Sequence, residues 1–193
     1  MASDIDIASN ALILIGDNPI SSFTEPGFGA TTAANLYEDT YLSALSEHPW
    51  TFALKEQYLS RLSQQPDPET NFKYAFQVPV DAVRIWAVFP HSNYTLVGDL
   101  LYSNYDKLLM RYNRKPPESE LPPHFVKALE YRLAADFSVS VTEDINKHQL
   151  FERKYLSAMA MARSVDSQGK PPVAIIDSPF VDVRLSGTGY GAF

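Results

Sequence analysis

The stretch over residues 5–52 constrains the fold more than any other part of the chain, because it combines two helix patterns with two stops. The hydroxyl of Ser3 and the acid at Asp6 form a capping-box pattern, in which each side chain satisfies a free backbone amide at the helix start. Apolar residues then recur at spacings of three and four until Gly16 and a following proline end the pattern. The sequence therefore predicts a helix over residues 3–16.

A second helix pattern follows a loop over residues 17–30 that is rich in Gly, Pro, Ser and Asn. Apolar and aromatic residues share one face of this pattern, and the proline after it stops it, so we predict a helix over residues 31–48. Trp50 and Phe52 come directly after the stop. Because Trp50, Phe52 and Leu54 alternate, we expect a strand to begin there, although residues 54–59 also fit a helix. We expect both rings to be buried where the helical body meets a sheet.

The middle of the chain carries the patterns of an antiparallel sheet. Alternating apolar residues run over 74–78 and again over 83–89, with a Pro-x-Asp turn between them. Gly98-Asp99 separates two short apolar runs, which suits a two-residue hairpin with glycine at its first position. Residues 108–112 add a further strand. We predict a β module over about residues 50–115, built as a small sheet of four or five strands.

Two further helices are predicted after the sheet. Prolines mark the connection, and proline is tolerated in the first turn because the amides there have no helical partner. Apolar spacings predict helices over 122–142 and 144–168. The expected fold class is therefore α+β, a mainly helical body of about four helices with a small antiparallel β module. We expect a single domain over residues 1–170 and an extended C-terminal arm over residues 171–193.

The arm has a strand pattern but no means of forming a core. Val181, Val183 and Leu185 alternate with polar residues, and glycines follow. An isolated strand with one apolar face cannot offset about 1–2 kcal/mol of backbone entropy per residue. We therefore expect the arm to become ordered on assembly, by adding to a sheet edge of a neighbour, with Tyr190 and Phe193 as aromatic anchors.

The composition excludes several classes of function. The chain of 193 residues has a formal net charge of −7, which argues against general affinity for nucleic acid. It contains no cysteine, which excludes disulfides and thiolate chemistry. It has no run of about 18 apolar residues and no charged signal-peptide region. We expect a protein made in the cytoplasm, with no membrane partner.

No catalytic or metal-binding constellation stands out. His148 has Asp144 and Glu152 at helical spacing, but the neighbouring Lys147 and Arg153 favour a solvated charged face. The serines lack the Gly-x-Ser-x-Gly elbow of an activated nucleophile. We predict no catalytic, cofactor-binding or metal-binding residues, no cofactor, and a function other than that of an enzyme.

One compact basic and aromatic cluster is present at Arg111, Tyr112, Arg114 and Lys115. It suits contact with a phosphate or an acidic partner at the end of a strand, or protection of an edge strand by charge. We retain both interpretations, contact with a partner and protection of an edge strand. In either case we expect the cluster to lie in the β module and to face away from the core.

Three blocks of sequence occur in an order that resembles the tail tubular protein A family, the head-to-tail adaptors of tailed bacteriophages. Residues 11–23 resemble the family's L-I-G-x-x-P-I/V-S-S opening, and residues 49–53 resemble its second block. Residues 74–86 resemble the third, in which Asp81 and Arg84 are expected to pair across the turn. The resemblance covers roughly the first half of the chain, and residues 120–166 match in pattern only.

The resemblance implies a structural virion protein at the head–tail junction, assembled in the host cytoplasm. About twelve copies, a dodecamer, would form a ring that binds the portal protein on one side and the tail tube or nozzle protein on the other. DNA would pass through the ring without specific binding, since acidic walls do not hold phosphates. The expected partner-interface residues are Arg111, Tyr112, Arg114, Lys115, Val181, Val183, Leu185, Tyr190 and Phe193. The alternatives are a tail-associated hydrolase of host-envelope glycan, which needs two facing carboxylates, and a monomeric ligand-binding module.

Overall fold

A computed structural model describes residues 2–63, 71–91 and 93–169. This part of the chain is α+β, as predicted, with helices and small antiparallel sheets. The helices are α1 (Asp4–Ile15), α2 (Phe28–Ser46), α3 (Pro123–Thr142) and α4 (Ile145–Gln168). The strands are β1 (Leu54–Tyr58), β2 (Ser60–Arg61), β3 (Tyr74–Gln77), β4 (Ala82–Phe89), β5 (Tyr94–Val97), β6 (Leu100–Ser103) and β7 (Leu109–Arg114).

The ends of the first two helices follow from their capping residues. At α1 the predicted capping box is present: Ser3 Oγ accepts from the Asp6 amide at 3.1 Å, and Asp6 accepts from the Ser3 amide at 3.0 Å. Gly16, at φ +88°, closes α1 in the left-handed region. Helix α2 begins three residues before the predicted start, because Gly27 is its N-cap. Thr31 lies within the first turn, and its hydroxyl donates to the Gly27 carbonyl at 3.0 Å.

Helix α3 is the centre of the helical body and contacts each of the other three helices. Its first turn carries a proline, as expected for a connection that ends in Pro122-Pro123. Large apolar residues repeat every four positions on its buried face, which places a continuous row of side chains between α1, α2 and α4. These residues are Phe125, Leu129, Leu133 and Phe137.

The β module consists of two sheets rather than the single sheet that we predicted. One has the strand order β1-β7-β4 and the other β2-β3-β6-β5, and every pairing is antiparallel. The two sheets share one run of chain, because β1 and β2 are separated only by Leu59, whose amide donates to the Leu108 carbonyl at 2.9 Å. Side chains from both sheets form a second core, which comprises Leu59, Phe76, Val88, Leu101, Leu108, Met110 and Tyr112.

The strand expected to begin at Trp50 begins at Leu54. The intervening residues form a turn, in which the amides of Ala53 and Leu54 both donate to the Trp50 carbonyl. The alternation of Trp50 and Phe52 therefore comes from a tight turn and not from a strand. The predicted hairpin is confirmed, since Val97 pairs with Leu100 and Gly98 has φ +60°.

The aromatic residues after α2 lie where we expected them, at the junction of helices and sheet. Trp50 is fully buried, its indole donates to the Ala44 carbonyl at 3.2 Å, and its ring lies 5.1 Å from that of Phe125. Phe52 is partly buried and packs on the same ring at 5.1 Å. The prediction of burial is thus confirmed for Trp50 and holds in part for Phe52.

Candidate interaction surfaces

The three cations of the predicted interface cluster are all engaged within the chain. Arg111 Nε donates to Glu56 at 2.6 Å, across the β1–β7 pairing. Arg114 is paired with Glu120, and Lys115 Nζ lies 2.7 Å from both carboxylate oxygens of Glu38 on α2. The positive charge of the cluster is therefore balanced locally, which weakens it as a site for phosphate.

Tyr112, the aromatic member of the cluster, is fully buried, so the prediction that it faces a partner is wrong. Strand β7 alternates, and Met110 and Tyr112 point into the second core while Arg111 points outward. The alternative, protection of an edge strand by charge, is wrong as well, because β7 is the middle strand of its sheet. Burial is the largest of the effects that raise the pKa of Tyr112.

Asp81 and Arg84 do not pair with each other, contrary to our expectation. Asp81 Oδ2 lies 3.0 Å from Lys55 Nζ, and its other oxygen accepts from the Tyr112 hydroxyl at 3.1 Å. Burial raises the pKa of this carboxyl, but the hydrogen bonds from Lys55 and Tyr112 and the positive charge of Lys55 act against it, and the pKa lies below its ordinary value. Arg84 instead donates to the Ser46 carbonyl at 2.6 Å and stacks over Trp86.

A groove lies between α2 and the turn that joins β3 to β4, and we call it the α2 groove. It encloses about 870 Å³, and its apolar lining includes Leu42 and the fully exposed Val80. Acidic side chains stand around it, namely Glu38, Asp39 and Asp81. Lys115 also lines the groove and pairs with Glu38, so three acids and one base leave this lining with a net charge of −2. The α2 groove is thus an apolar surface with an acidic rim.

A second exposed apolar surface lies on α4, and we call it the α4 stripe. Leu150, Met161 and Val165 are separated by eleven and four residues, which places them on one side of the helix, and all three are exposed. Lys154 lies on the same side, with its Nζ 5.0 Å from the ring of Phe151. Helix α4 has four basic and two acidic residues, a net charge of +2, whereas α2 has two acidic residues and a net charge of −2. Of the four basic residues, Lys147 donates to the Ile15 carbonyl and Arg163 is paired with Glu47, so the positive charge of the α4 stripe is that of Lys154.

The last turn of α4 is fixed to the segment after α2 by a contact that the sequence did not suggest. The carboxylate of Asp166, which is 5% exposed, accepts from the Thr51 amide at 3.0 Å and from its hydroxyl. His48 Nε2 lies 3.6 Å from the same carboxylate. These bonds hold the end of α4 beside the junction with the β module.

The side chains of Asp144, His148 and Glu152, which share helical spacing, do not converge on one site. Asp144 caps α4 by accepting from the Asn146 and Lys147 amides, and Glu152 accepts from Arg132. His148 Nδ1 lies 2.8 Å from the Ala135 carbonyl. Over residues 2–63, 71–91 and 93–169, no three His, Cys, Asp or Glu side chains are grouped closely enough to hold a metal ion.

The remaining predicted interface residues lie outside the described residues. These are Val181, Val183, Leu185, Tyr190 and Phe193. Within the described part, none of the helices combines the length and the apolarity needed to cross a membrane. Comparison with known protein families gives no matching family model, and comparison with curated proteins gives no significant match.

Proposed function

We propose that this chain is a structural virion protein, a head-to-tail adaptor whose copies form a ring between the portal and the tail. The observation that carries the proposal is that the chain has two different exposed apolar surfaces of opposite charge, the α2 groove and the α4 stripe. A subunit of a closed ring needs two such faces, because each copy meets one neighbour with one face and the other neighbour with the second.

The two faces are complementary in both apolarity and charge. Met161 and Val165 of one copy would pack on Leu42 and Val80 of the next, where each of them is now exposed or half-buried. Lys154 would approach the acidic rim of the α2 groove. Such charges at the edge of an interface fix its orientation and disfavour the reversed contact, in which acidic rims or basic stripes would meet each other.

The remaining surfaces of the ring would bind the portal protein on one side and the tail tube or nozzle protein on the other. A dodecamer is the copy number that the resemblance implies. The net charge of −7 per chain supports a channel that DNA crosses without specific binding, because an acidic wall does not hold phosphates. The proposed location is the head–tail junction of the virion.

Two substitutions test the ring contact, one on each face. Val80→Glu places a charge in the α2 groove, and Met161→Glu places one on the α4 stripe. Since both side chains are exposed, we expect neither change to disturb the fold. We expect the wild type to reach a single ring-sized species in sedimentation velocity as its concentration is raised, and each variant to remain a monomer. Tyr58→Glu is the matched control, because Tyr58 and Met161 are both 69% exposed and Tyr58 lies on neither face.

Mixing the two defective variants gives the sharper result. The intact groove of one variant still fits the intact stripe of the other, so an equal mixture should form dimers and nothing larger. A mixture that stays monomeric would show that these two faces do not meet. A wild type that stays monomeric at every concentration, and forms no ring with its portal in electron micrographs, would instead favour the monomeric ligand-binding module.

A further inference from the structure

Strand β5 is an edge that lacks the features by which proteins protect edge strands. Among the described residues, the outer strands are β1 and β4 in one sheet and β2 and β5 in the other. Strands β1 and β2 carry the charged residues Lys55, Glu56 and Arg61. Strand β4 has two irregularities in its register and carries the exposed Arg84. Strand β5 pairs with β6 in unbroken register, has neither a charged residue nor a proline, and is exposed at all four positions. Bulges, charges and prolines are the usual barriers to added strands, so β5 is open to one.

The inner face of β5 is also incompletely covered. Tyr94 lies opposite Ser103 and Leu96 opposite Leu101, and residues directly opposite each other share a face of the sheet. Ser103 and Leu101 are fully buried, yet Tyr94 is 42% exposed and Leu96 is 47% exposed. Two side chains on the core side of the module therefore remain open to solvent at this edge.

We propose that residues 181–185 of a neighbouring copy add to β5 as a further strand. This inference rests on the proposed function, because it requires copies held side by side. In an antiparallel ladder, every second residue of β5 directs its amide and carbonyl away from β6, and these groups would bond to the new strand. Val181, Val183 and Leu185 alternate in sequence, so all three would lie on one face and cover Tyr94 and Leu96.

The arm is long enough for this contact. The last described residue is Gly169, at the end of α4, and residues 170–180 can span at most roughly 36–40 Å when extended. That distance exceeds the length of β4, the longest strand described, whose eight residues span roughly 26–27 Å, and it allows the segment to reach an adjacent copy. The polar residues of the segment, Asp182 and Arg184, would then lie on the opposite face, away from the second core.

Disulfide trapping tests the pairing directly, because the chain has no cysteine of its own. Leu96→Cys full-length protein is mixed with protein carrying a single cysteine at one of positions 181 to 185, and the mixture is oxidised gently. Any disulfide between the two proteins joins different copies by construction. We expect disulfides with cysteines at 181, 183 or 185, whichever lies opposite, and several-fold fewer at 182 and 184.

The reverse pattern is expected when the cysteine on β5 is moved by one residue. Thr95→Cys faces the other side of the strand, so it should trap cysteines at 182 or 184 in preference to the odd positions. Ala87→Cys, on the protected edge β4, is the control and should give little product with any of the five. An alternation of period two is the signature of a strand and is not produced by random collisions.

Three other outcomes would overturn the inference. A disulfide between two Leu96→Cys copies in preference to the arm would mean that β5 pairs with β5. A protein that carries both Leu96→Cys and one cysteine in the arm can also form a disulfide within one copy. If disulfides form only in that way, the arm folds back on its own subunit. Equal trapping at all five arm positions, or none, would exclude a strand here. The failure of this inference can be told from the failure of the proposed function. If the protein forms rings but the disulfides do not alternate, only this pairing is rejected. If the disulfides alternate but the protein forms no ring with its portal, only the adaptor function is rejected.

Discussion

At the scale of single residues, the helices and the β module are joined by side chains that reach the last carbonyls of α2. A helix leaves its final carbonyls without backbone partners, and buried carbonyls need donors. Here the donors come from outside the helix, from the turn that follows it and from two strands. They are Trp50 to the Ala44 carbonyl, Asn113 to the Leu45 carbonyl and Arg84 to the Ser46 carbonyl.

Asn113→Asp should be strongly destabilising although it changes only one group. The buried Asn113 amide donates at 2.7 Å to the carbonyls of both Leu45 and His48, and a carboxylate would present oxygen to oxygen. We expect a loss of at least about 2 kcal/mol in the free energy of unfolding, measured by urea denaturation. Asn104→Asp is the matched control, because Asn104 uses its oxygen to accept from the Lys73 amide and keeps that contact as Asp. Equal stability of the two variants would contradict the assigned donor role.

Trp50→Ala should destabilise the protein at the same junction between the helices and the β module. Truncating a fully buried ring costs about 3–5 kcal/mol, a large share of the stability of an ordinary domain. The other tryptophan, Trp86, is only partly buried, so Trp86→Ala should cost clearly less. Melting followed by circular dichroism compares the two. A Trp50→Ala protein that melts as the wild type would place the ring on the surface.

Sequence reasoning found some of these residues and missed others for identifiable reasons. Trp50 was predictable because a proline stops the helix before it, so the chain must turn there with a large ring attached. Asn113 gave no signal, since a single amide between Tyr112 and Arg114 fits no periodic pattern. The error over Tyr112 arose from reading a run of neighbours as one surface, whereas a strand sends successive side chains to opposite faces.

At the scale of elements, α1 ends on a lysine from a distant helix. Lys147 of α4 donates from Nζ to the Ile15 carbonyl at 2.6 Å, so a cation stands at the negative end of the α1 dipole. Lys147→Met keeps most of the aliphatic side chain and removes the charge and the bond. We expect a loss of about 1 kcal/mol in the free energy of unfolding. Lys107→Met, at an exposed position, should leave the stability unchanged within about 0.5 kcal/mol.

The contact between α2 and α3 should depend on pH, because Asp136 on α3 accepts a hydrogen bond from the Thr40 hydroxyl on α2 at 3.2 Å. Burial raises the pKa of this carboxyl, although Arg132 at 3.4 Å opposes the shift. A raised pKa in the folded state means that stability is greatest while the group is protonated and falls as the pH rises through that pKa. The melting temperature of Asp136→Asn should therefore increase relative to that of the wild type as the pH rises from about 3 to about 7. Asp81→Asn should show the opposite trend, because the pKa of Asp81 is lowered.

The helices were predictable to within a few residues, whereas the arrangement of the strands was not. Helix periodicity, caps and prolines act locally, so they can be read along the chain. The module depends instead on Leu59, where a single residue moves the chain from one sheet to the other. No local pattern marks such a residue, because its role is set by strands that follow it by more than ten positions.

At the scale of the whole molecule, the proposed ring contact has a polar edge that salt should weaken. Raising the ionic strength shortens the distance over which charges act, from about 10 Å at 0.1 M to about 3 Å at 1 M. We expect the concentration needed for ring formation to rise over this range. Lys154→Gln should raise that concentration at low salt and reduce its dependence on salt. Rings that become more stable throughout the same titration would indicate a contact without charge complementarity.

The pairing of the first helix with a late one affects how the protein is made. Helix α1 packs on α3, which begins at Pro123, and β1 pairs with β7, which begins at Leu109. A ribosome adds about 5–20 residues per second, so α1 leaves the exit tunnel roughly 6–25 seconds before the whole of α3 does. During that interval α1 can contact α2 but lacks α3, the helix with which it makes most of its contacts. The nascent chain therefore offers a helical, apolar segment to chaperones early in synthesis, and α3 is complete only when nearly three quarters of the sequence has been translated.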